Sequence, residues 1–322
     1  MDTILGGISE FGVLPVIQVP NPEDAEPLAQ ALSDGGLPLI EITFRNGSAE
    51  KSVALIRKAF PDMIIGAGTI LDAATADLAV KAGADFLVSP CFNPRVAEFC
   101  KAQSVPYIPG CVTPGELERG IEAGLNIFKF FPAEPNGGLE AVKLLAGPYG
   151  GTGFLPTGGI SFDNLPDYLS FNCIAACGGS FMATASQIAA HDWNSIRESC
   201  KRAVDISLGF ELAHVGINCT SSDSAVSGAS DIAKIFLLDV IEGKSSVFAD
   251  RAVELMKAPY YGSRGHIGFS TRSATRALAW FRRNRIPVRE ESIRYYDNGH
   301  VKSAYLTMEI EGHAFHIVQQ TI

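Results

Sequence analysis

The sequence is short of histidine where catalytic metal sites need it: of six in 322 residues, only His191 precedes residue 210. The first two thirds therefore cannot assemble a histidine metal cage. The seven cysteines are scattered, odd in number and without a Cys-x-x-Cys pair, which fits reduced thiols packed as small hydrophobes better than a disulfide framework. Long hydrophobic runs are missing too: the apolar stretches are strand-length and broken by Gly, Pro or charge, and the amino terminus has no basic flank followed by an apolar core. No membrane span or signal peptide is expected, and the expected location is the cytoplasm. Basic residues are outnumbered, 26 against 35 acidic, for a net charge of −9, and no basic stripe offsets this, so nucleic acid is not an expected partner. Neither GxGxxG nor GxxxxGK[ST] occurs, so the glycine-rich nucleotide cradles are absent as well.

What is present is a 47% hydrophobic composition, enough for a large domain and a smaller one. From Val13 the chain alternates short apolar strands with amphipathic helices. Strands are expected at 13–19, 39–45, 64–70, 86–90, 106–112, 127–133, 153–159 and 174–180. Helices are expected between them, for example at 23–33, 49–60, 95–102 and 116–123, the last begun by Thr113-Pro114. Glycines at 35–36, 83 and 124 end helices. Eight βα units in about 200 residues predict an α/β fold, a closed (β/α)8 TIM barrel, with an open doubly wound sheet as the alternative.

In such a barrel chemistry gathers at the carboxyl ends of the strands. Alternation puts Glu41, Thr43 and Arg45 on one inward face, and adds Thr69 and Lys129. Lys129 sits inside the apolar heptapeptide Ile127-Phe128-Lys129-Phe130-Phe131-Pro132-Ala133. An ammonium among rings is poorly solvated, which favours a neutral, nucleophilic amine; the plainer alternative is a stem packed on the rings with its charge at a loop or carboxylate. For Glu41 and Arg45 the plainer alternative is a structural ion pair with each other. The glycine-rich ends Thr157-Gly158-Gly159 and Gly178-Gly179-Ser180 offer backbone N–H groups of the kind that bind phosphate, or are simply tight turns.

Residues 13 to about 207 resemble the class I aldolases that cleave 2-keto-3-deoxy-6-phosphogluconate (KDPG) and 4-hydroxy-2-oxoglutarate (KHG). The resemblance runs through Ile-Glu-Ile-Thr-Phe-Arg (40–45), Gly-Ala-Gly-Thr (66–69), Val-Ser-Pro (88–90), Pro-Gly (109–110), Phe-Lys-Phe-Phe-Pro-Ala-Glu (128–134), Pro-Thr-Gly-Gly-Ile (156–160) and Gly-Gly-Ser (178–180). It implies that Lys129 forms a Schiff base without a cofactor, that Glu41 is the general acid and base, and that Arg45 and Thr69 hold the pyruvyl carboxylate. Pro90 and Phe131 belong to the substrate site it implies, and Thr157, Gly158, Gly159, Gly178, Gly179 and Ser180 to the phosphate turns. The partners implied are small 2-keto acids and further copies of the chain, as a trimer. Two departures bear on substrate: a neutral Gln18 stands near the end of the first strand, where some relatives carry arginine, and Cys91 replaces a frequent glycine. A rival reading is a phosphosugar-binding barrel without turnover.

After a junction near Ser207-Leu208-Gly209-Phe210 the pattern changes. Strand 212–219, helix 224–238 and strands 246–248 and 252–257 are followed by strand 266–271, helix 274–284 and strands 288–296, 302–309 and 314–320. This is strand, helix, strands twice, with the first half short of a strand. Ala213-His214-Val215-Gly216 and Gly265-His266-Ile267-Gly268 repeat one local pattern. Each half closes on another ligand type, Glu254 and then His316, and three imidazoles with a carboxylate suit a divalent cation. His300 and His313 are read as solvated turn residues. Residues 208–322 resemble the glyoxalase, or vicinal oxygen chelate, superfamily, which implies a smaller α+β domain of paired βαβββ modules following a barrel domain of residues 1–207. Tyr260-Tyr261-Gly262 has no counterpart in that resemblance.

Overall fold

The computed structural model describes residues 3–320; residues 1, 2, 321 and 322, the outer ends of the two expected domains, lie outside the described residues. The chain divides into two compact units between Ser207 and Leu208.

In the first unit, helix α1 (Thr3–Phe11) precedes eight strands: β1 (Val13–Ile17), β2 (Leu39–Thr43), β3 (Ile64–Gly68), β4 (Phe86–Val88), β5 (Tyr107–Ile108), β6 (Ile127–Phe130), β7 (Gly153–Pro156) and β8 (Cys177–Gly179). Between them run α2 (Ala25–Asp34), α3 (Ala49–Ala59), α4 (Ala73–Ala82), α5 (Pro94–Gln103), α6 (Pro114–Glu122), α7 (Gly138–Ala146) and α8 (Leu165–Leu169), and α9 (Ala185–Ala189) and α10 (Trp193–Leu208) follow. Every strand has a parallel neighbour on both sides. Six pair in the order β5-β4-β3-β2-β1-β8, β6 pairs with β7, and parallel bridges Gly110–Lys129 and Thr157–Gly178 join that pair to β5 and β8. Strands buried on both faces need no polar alternation, and β2 and β4 are buried at every residue.

The helix boundaries follow local chemistry. Thr113 and Glu116 form a reciprocal capping box before Pro114 in the first turn of α6. Gly83 ends α4 at φ 108°, where a β-carbon would also press on Arg57. Several strands are shorter than the apolar runs suggest: β4 stops at Val88 and β8 begins only at Cys177. Among the described residues no helix is long and apolar enough to cross a membrane.

The second unit is mostly sheet. Its first half is β9 (Glu211–Asn218), α11 (Ser222–Phe236), β10 (Val240–Glu242), β11 (Ser246–Ala249) and β12 (Val253–Met256). The second half is β13 (Gly265–Thr271), α12 (Ala274–Arg283), β14 (Arg294–Tyr295), β15 (Val301–Ile310) and β16 (His313–Gln319). The strand the sequence reading lacked in the first half is β10, exposed at all three residues and therefore without an alternating pattern to reveal it. The strand expected over 288–296 reduces to β14 after a 3-10 turn at Glu290–Ser292. His313 opens β16 rather than lying in a turn, whereas His300 is exposed outside any strand. One eight-stranded sheet results, in the order β10-β11-β12-β9-β13-β16-β15-β14. Within each half the first and last strands pair in parallel, β9 with β12 and β13 with β16, and the halves join through the antiparallel β9–β13 ladder. Helix α11 buries Ala225 and Ala229 against Val247 and Leu255.

Candidate active site and candidate metal centre

In the first unit the side chains singled out above gather at the carboxyl ends of the strands. Lys129 is 6% exposed and Glu41 wholly buried. Nζ of Lys129 donates to Glu41 Oε1 at 3.0 Å and lies 3.4 Å from Oε2, an ion pair with side chains 8% and 0% exposed. The lysine therefore faces a carboxylate rather than rings alone, although Nζ also stands 5.6 Å from the centre of the Phe131 ring. Arg45 does not pair with Glu41: exposed at the rim, its Nε donates to Thr69 Oγ1 at 3.3 Å. Thr69 takes φ 60°, an uncommon conformation for a β-branched residue just past the end of β3.

Glycines make the room. A β-carbon at Gly68 would lie 2.1 Å from Glu41 Oε1, so the Gly-Ala-Gly-Thr run serves the carboxylate on the adjacent strand. Gly178 does the same for Thr157, whose Oγ1 would be 2.4 Å from a β-carbon there. Gly158 and Gly159 both take positive φ, 95° and 87°, which fixes the turn after β7 as glycine territory. Ala133 N–H donates to Thr157 O at 2.8 Å and Glu134 N–H to Gly158 O at 3.1 Å, tying this turn to the end of β6.

A cleft of about 330 Å³ opens at this end, lined by Val16, Gln18, Thr43, Arg45, Phe131, Thr157, Gly158, Gly159, Gly179 and Ser180 among others. Lys129, Glu41, Thr69, Gly178 and Pro90 are not part of that lining; the Pro90 carbonyl packs where a β-carbon of Gly110 would lie, 2.0 Å away. Thr43 was legible only as a member of the inward face. Its hydroxyl is buried without a hydrogen-bond partner among the described residues and borders the cleft, the mark of a group that a ligand can satisfy. A larger cavity of about 570 Å³ lies at the amino ends of β5 and β6, away from Lys129.

In the second unit His214 on β9, His266 on β13 and His316 on β16 are buried, and Glu254 on β12 joins them. Nε2 of His214 lies 3.2 Å from Nε2 of His266, 3.0 Å from Nε2 of His316 and 3.3 Å from Glu254 Oε2, which is itself 3.0 Å from Nε2 of His266. A neutral imidazole carries one N–H, so His214 cannot donate along all three of its contacts, and lone pairs are left facing one another. Nδ1 of His266 and of His316 are also buried without partners among the described residues. Burial, followed by the neighbouring His266 and His214, lowers the His316 pKa to about 2, and burial likewise lowers that of His214, which leaves unprotonated donors. Donors about 2.1 Å from one ion stand roughly 3.0 to 3.4 Å apart, and the three imidazoles, with ligand atoms within 4.8 Å of one another, form a group that could hold a metal ion, Glu254 touching two of them. Tyr305 lies beside it, stacked on His316 with centroids 4.5 Å apart, and in turn contacts Tyr260 and Tyr261.

Known proteins resemble this chain over its first unit. The sequence model of the KDPG and KHG aldolases matches residues 6–199. A 2-dehydro-3-deoxy-phosphogluconate aldolase of Treponema pallidum is 43% identical over 206 residues, 64% of this chain and 98% of that one. A KHG/KDPG aldolase of Escherichia coli is 39% identical over 193 residues, 60% of this chain and 91% of that one. Among solved structures, the KDPG aldolase of Legionella pneumophila, with pyruvate captured as a covalent carbinolamine, superposes with a TM-score of 0.61 at 37% identity, covering 63% of this chain and 99% of that one. That of Zymomonas mobilis, holding 3-phosphoglycerate, gives 0.60 at 35% identity, covering 63% and 95%.

Proposed function

Over residues 6–199 the chain belongs to the KDPG and KHG aldolase family and is a class I aldolase, and from that premise we propose that Lys129 is its Schiff-base lysine and Glu41 its general acid and base. The observation that carries this is the 3.0 Å contact between their buried side chains at the carboxyl end of the ring of strands, which we read as a closed (β/α)8 barrel. Glu41 takes a proton from the Lys129 ammonium, the neutral Nζ adds to the C2 ketone of a 2-keto acid, the carbinolamine oxygen takes that proton back and leaves as water, and the protonated imine accepts the electron pair of the C3–C4 bond as it breaks. Glu41 takes the proton of the C4 hydroxyl, directly or through a water, and returns protons for enamine protonation and imine hydrolysis. Arg45, held by Thr69, forks onto the substrate carboxylate and so places the ketone against the amine. The turns Thr157–Gly159 and Gly178–Ser180 receive the distal end of the substrate.

The substrates proposed are KDPG, cleaved to pyruvate and glyceraldehyde 3-phosphate, and KHG, cleaved to pyruvate and glyoxylate. Related proteins named for both support the pair. Incubation with pyruvate and borohydride should add an irreducible mass to the Lys129 peptide. An adduct on another lysine, or none, refutes the assignment. Rates on the two substrates, measured side by side, decide between them, and sedimentation tests the trimer that the family resemblance implies.

For residues 208–322 the reading is a glyoxalase-like domain of paired βαβββ modules whose His214, Glu254, His266 and His316 hold a divalent cation. The convergence of their donor atoms supports it. Such an ion would supply Lewis acidity to a bound oxygen ligand. Elemental analysis of the purified chain beside His214→Ala is the test: a metal-free protein, or a content that the substitution leaves unchanged, refutes it.

A further inference from the structure

The repeated pattern His214-Val215-Gly216 and His266-Ile267-Gly268 has a structural partner for each of its glycines. In the antiparallel β9–β13 ladder His214 stands opposite Gly268, and His266 stands opposite Gly216. The two tripeptides are therefore reciprocal: each histidine faces the glycine of the other. On the far side of each strand the same rows continue, with Gly268 opposite His316 and Gly216 opposite Glu254. Both glycines thus lie between two of the four donors, on the face from which the imidazoles rise.

The space is fully used. A β-carbon at Gly216 would meet Cε1, Nε2 and Nδ1 of His266 at 2.1, 2.3 and 2.5 Å, so that ring lies flat over the glycine. A β-carbon at Gly268 would lie 2.7 Å from Nε2 of both His214 and His316, in the middle of the donor set. His266 is 1% exposed, His316 6% and His214 8%, which leaves the rings little freedom to move aside. Neither glycine takes positive φ, so backbone conformation is not what calls for them.

We infer that Gly216 and Gly268 are positioning residues for the cation: the vacancy each leaves lets an imidazole from the neighbouring strand turn inward until the Nε2 atoms converge, and any side chain there drives the donors apart. The inference rests on the divalent-cation reading of the same four residues. The intervening Val215 and Ile267 point to the opposite face of the sheet and serve as controls.

The test is cobalt(II) titration of the metal-stripped full chain, followed by equilibrium dialysis and the visible absorption of the bound ion, for wild type, Gly216→Ala, Gly268→Ala, Val215→Ala and Ile267→Ala. Each glycine variant should bind cobalt at least tenfold more weakly and with altered visible bands, while the two controls stay within about threefold of wild type with its spectrum. Wild-type affinity and spectrum in both glycine variants would overturn the inference and leave the cation reading standing. Wild type that takes up no cobalt ends both. Should Gly216→Ala fail to fold, the double variant Gly216→Ala/His266→Ala decides: recovery of the folded state places the conflict at the imidazole, and no recovery overturns the inference.

Discussion

Gly68 Cα faces the carboxylate of Glu41 so closely that a β-carbon on it would stand 2.1 Å from Oε1 and 2.8 Å from Cδ. Because Glu41 is wholly buried, it has no room to retreat. Gly68→Ala is therefore expected to shift the carboxylate relative to Lys129 by a substantial fraction of an ångström. Misplacement on that scale commonly lowers turnover about 10²-fold. Steady-state cleavage of KDPG should show the loss mainly in kcat, with borohydride trapping of pyruvate on Lys129 reduced but present. An unchanged kcat would mean that the carboxylate's position is immaterial.

Removing one member of the buried pair should reveal how much the other depends on it. In Lys129→Met the Glu41 carboxylate loses the ammonium that meets both its oxygens. Breaking a buried pair in this way typically destabilises by about 3–5 kcal/mol, because a charge is left without compensation. Lys129→Met/Glu41→Gln should be more stable in urea than Lys129→Met alone. A double variant no more stable than the single one would show that Glu41 has another adequate partner.

The parallel strand-helix alternation and the inward face of Glu41, Thr43 and Arg45 were legible because period-two alternation is local. The pairing was not. From the sequence Arg45 was as good a partner for Glu41 as Lys129, and only the register of β2 against its neighbours sends Arg45 to Thr69. Strand β10 escaped notice for the opposite reason: an edge strand exposed at every residue carries no periodicity. The glycines beneath the histidines stood in plain sight in the repeat. Their purpose depends on which residue the antiparallel ladder sets across from them, and that is not encoded within one strand.

The start of α6 offers a pH-dependent prediction. Burial raises the Glu116 pKa, but the N–H groups of Val112 and Thr113 and the Thr113 hydroxyl outweigh it and hold the carboxyl below the ordinary glutamate value. A depressed folded-state pKa gives stability that is present above the unfolded value near 4.5 and is lost as pH falls through the folded one. Glu116→Gln keeps an acceptor but cannot titrate. Wild type should exceed this variant by about 1 kcal/mol at pH 7, the usual size of a cap. The difference should shrink steadily below about pH 4.5 in urea titrations; a difference that is constant with pH would contradict the assignment.

Thr43 separates stability from activity. Its Oγ1 is buried at the edge of the cleft without a hydrogen-bond partner among the described residues. A buried polar group left unpaired costs about 1–3 kcal/mol. Thr43→Val, of nearly the same shape, should leave the fold as stable or more stable. If a substrate oxygen satisfies the hydroxyl, kcat/KM should fall about tenfold, as for one lost hydrogen bond, and Thr43→Ser should restore most of it. Valine with full activity would make the orphaned hydroxyl a packing accident.

The two tryptophans divide between the units, Trp193 in the first and Trp280 in the second. Trp280 lies 6.1 Å from Phe210 and 5.6 Å from Phe281 by ring centroids, so its fluorescence follows the packing of α12. A Trp193→Phe background therefore isolates unfolding of the second unit. A cation that binds only the folded form stabilises it by about 2.7 kcal/mol when present at a hundred times its dissociation constant. Adding zinc to the metal-stripped chain should raise the Trp280 midpoint by that order, chelator should reverse the gain, and His214→Ala should abolish it. Removing His214 deletes the one donor in contact with each of the other three. A zinc-dependent rise that survives in His214→Ala would place the ion elsewhere.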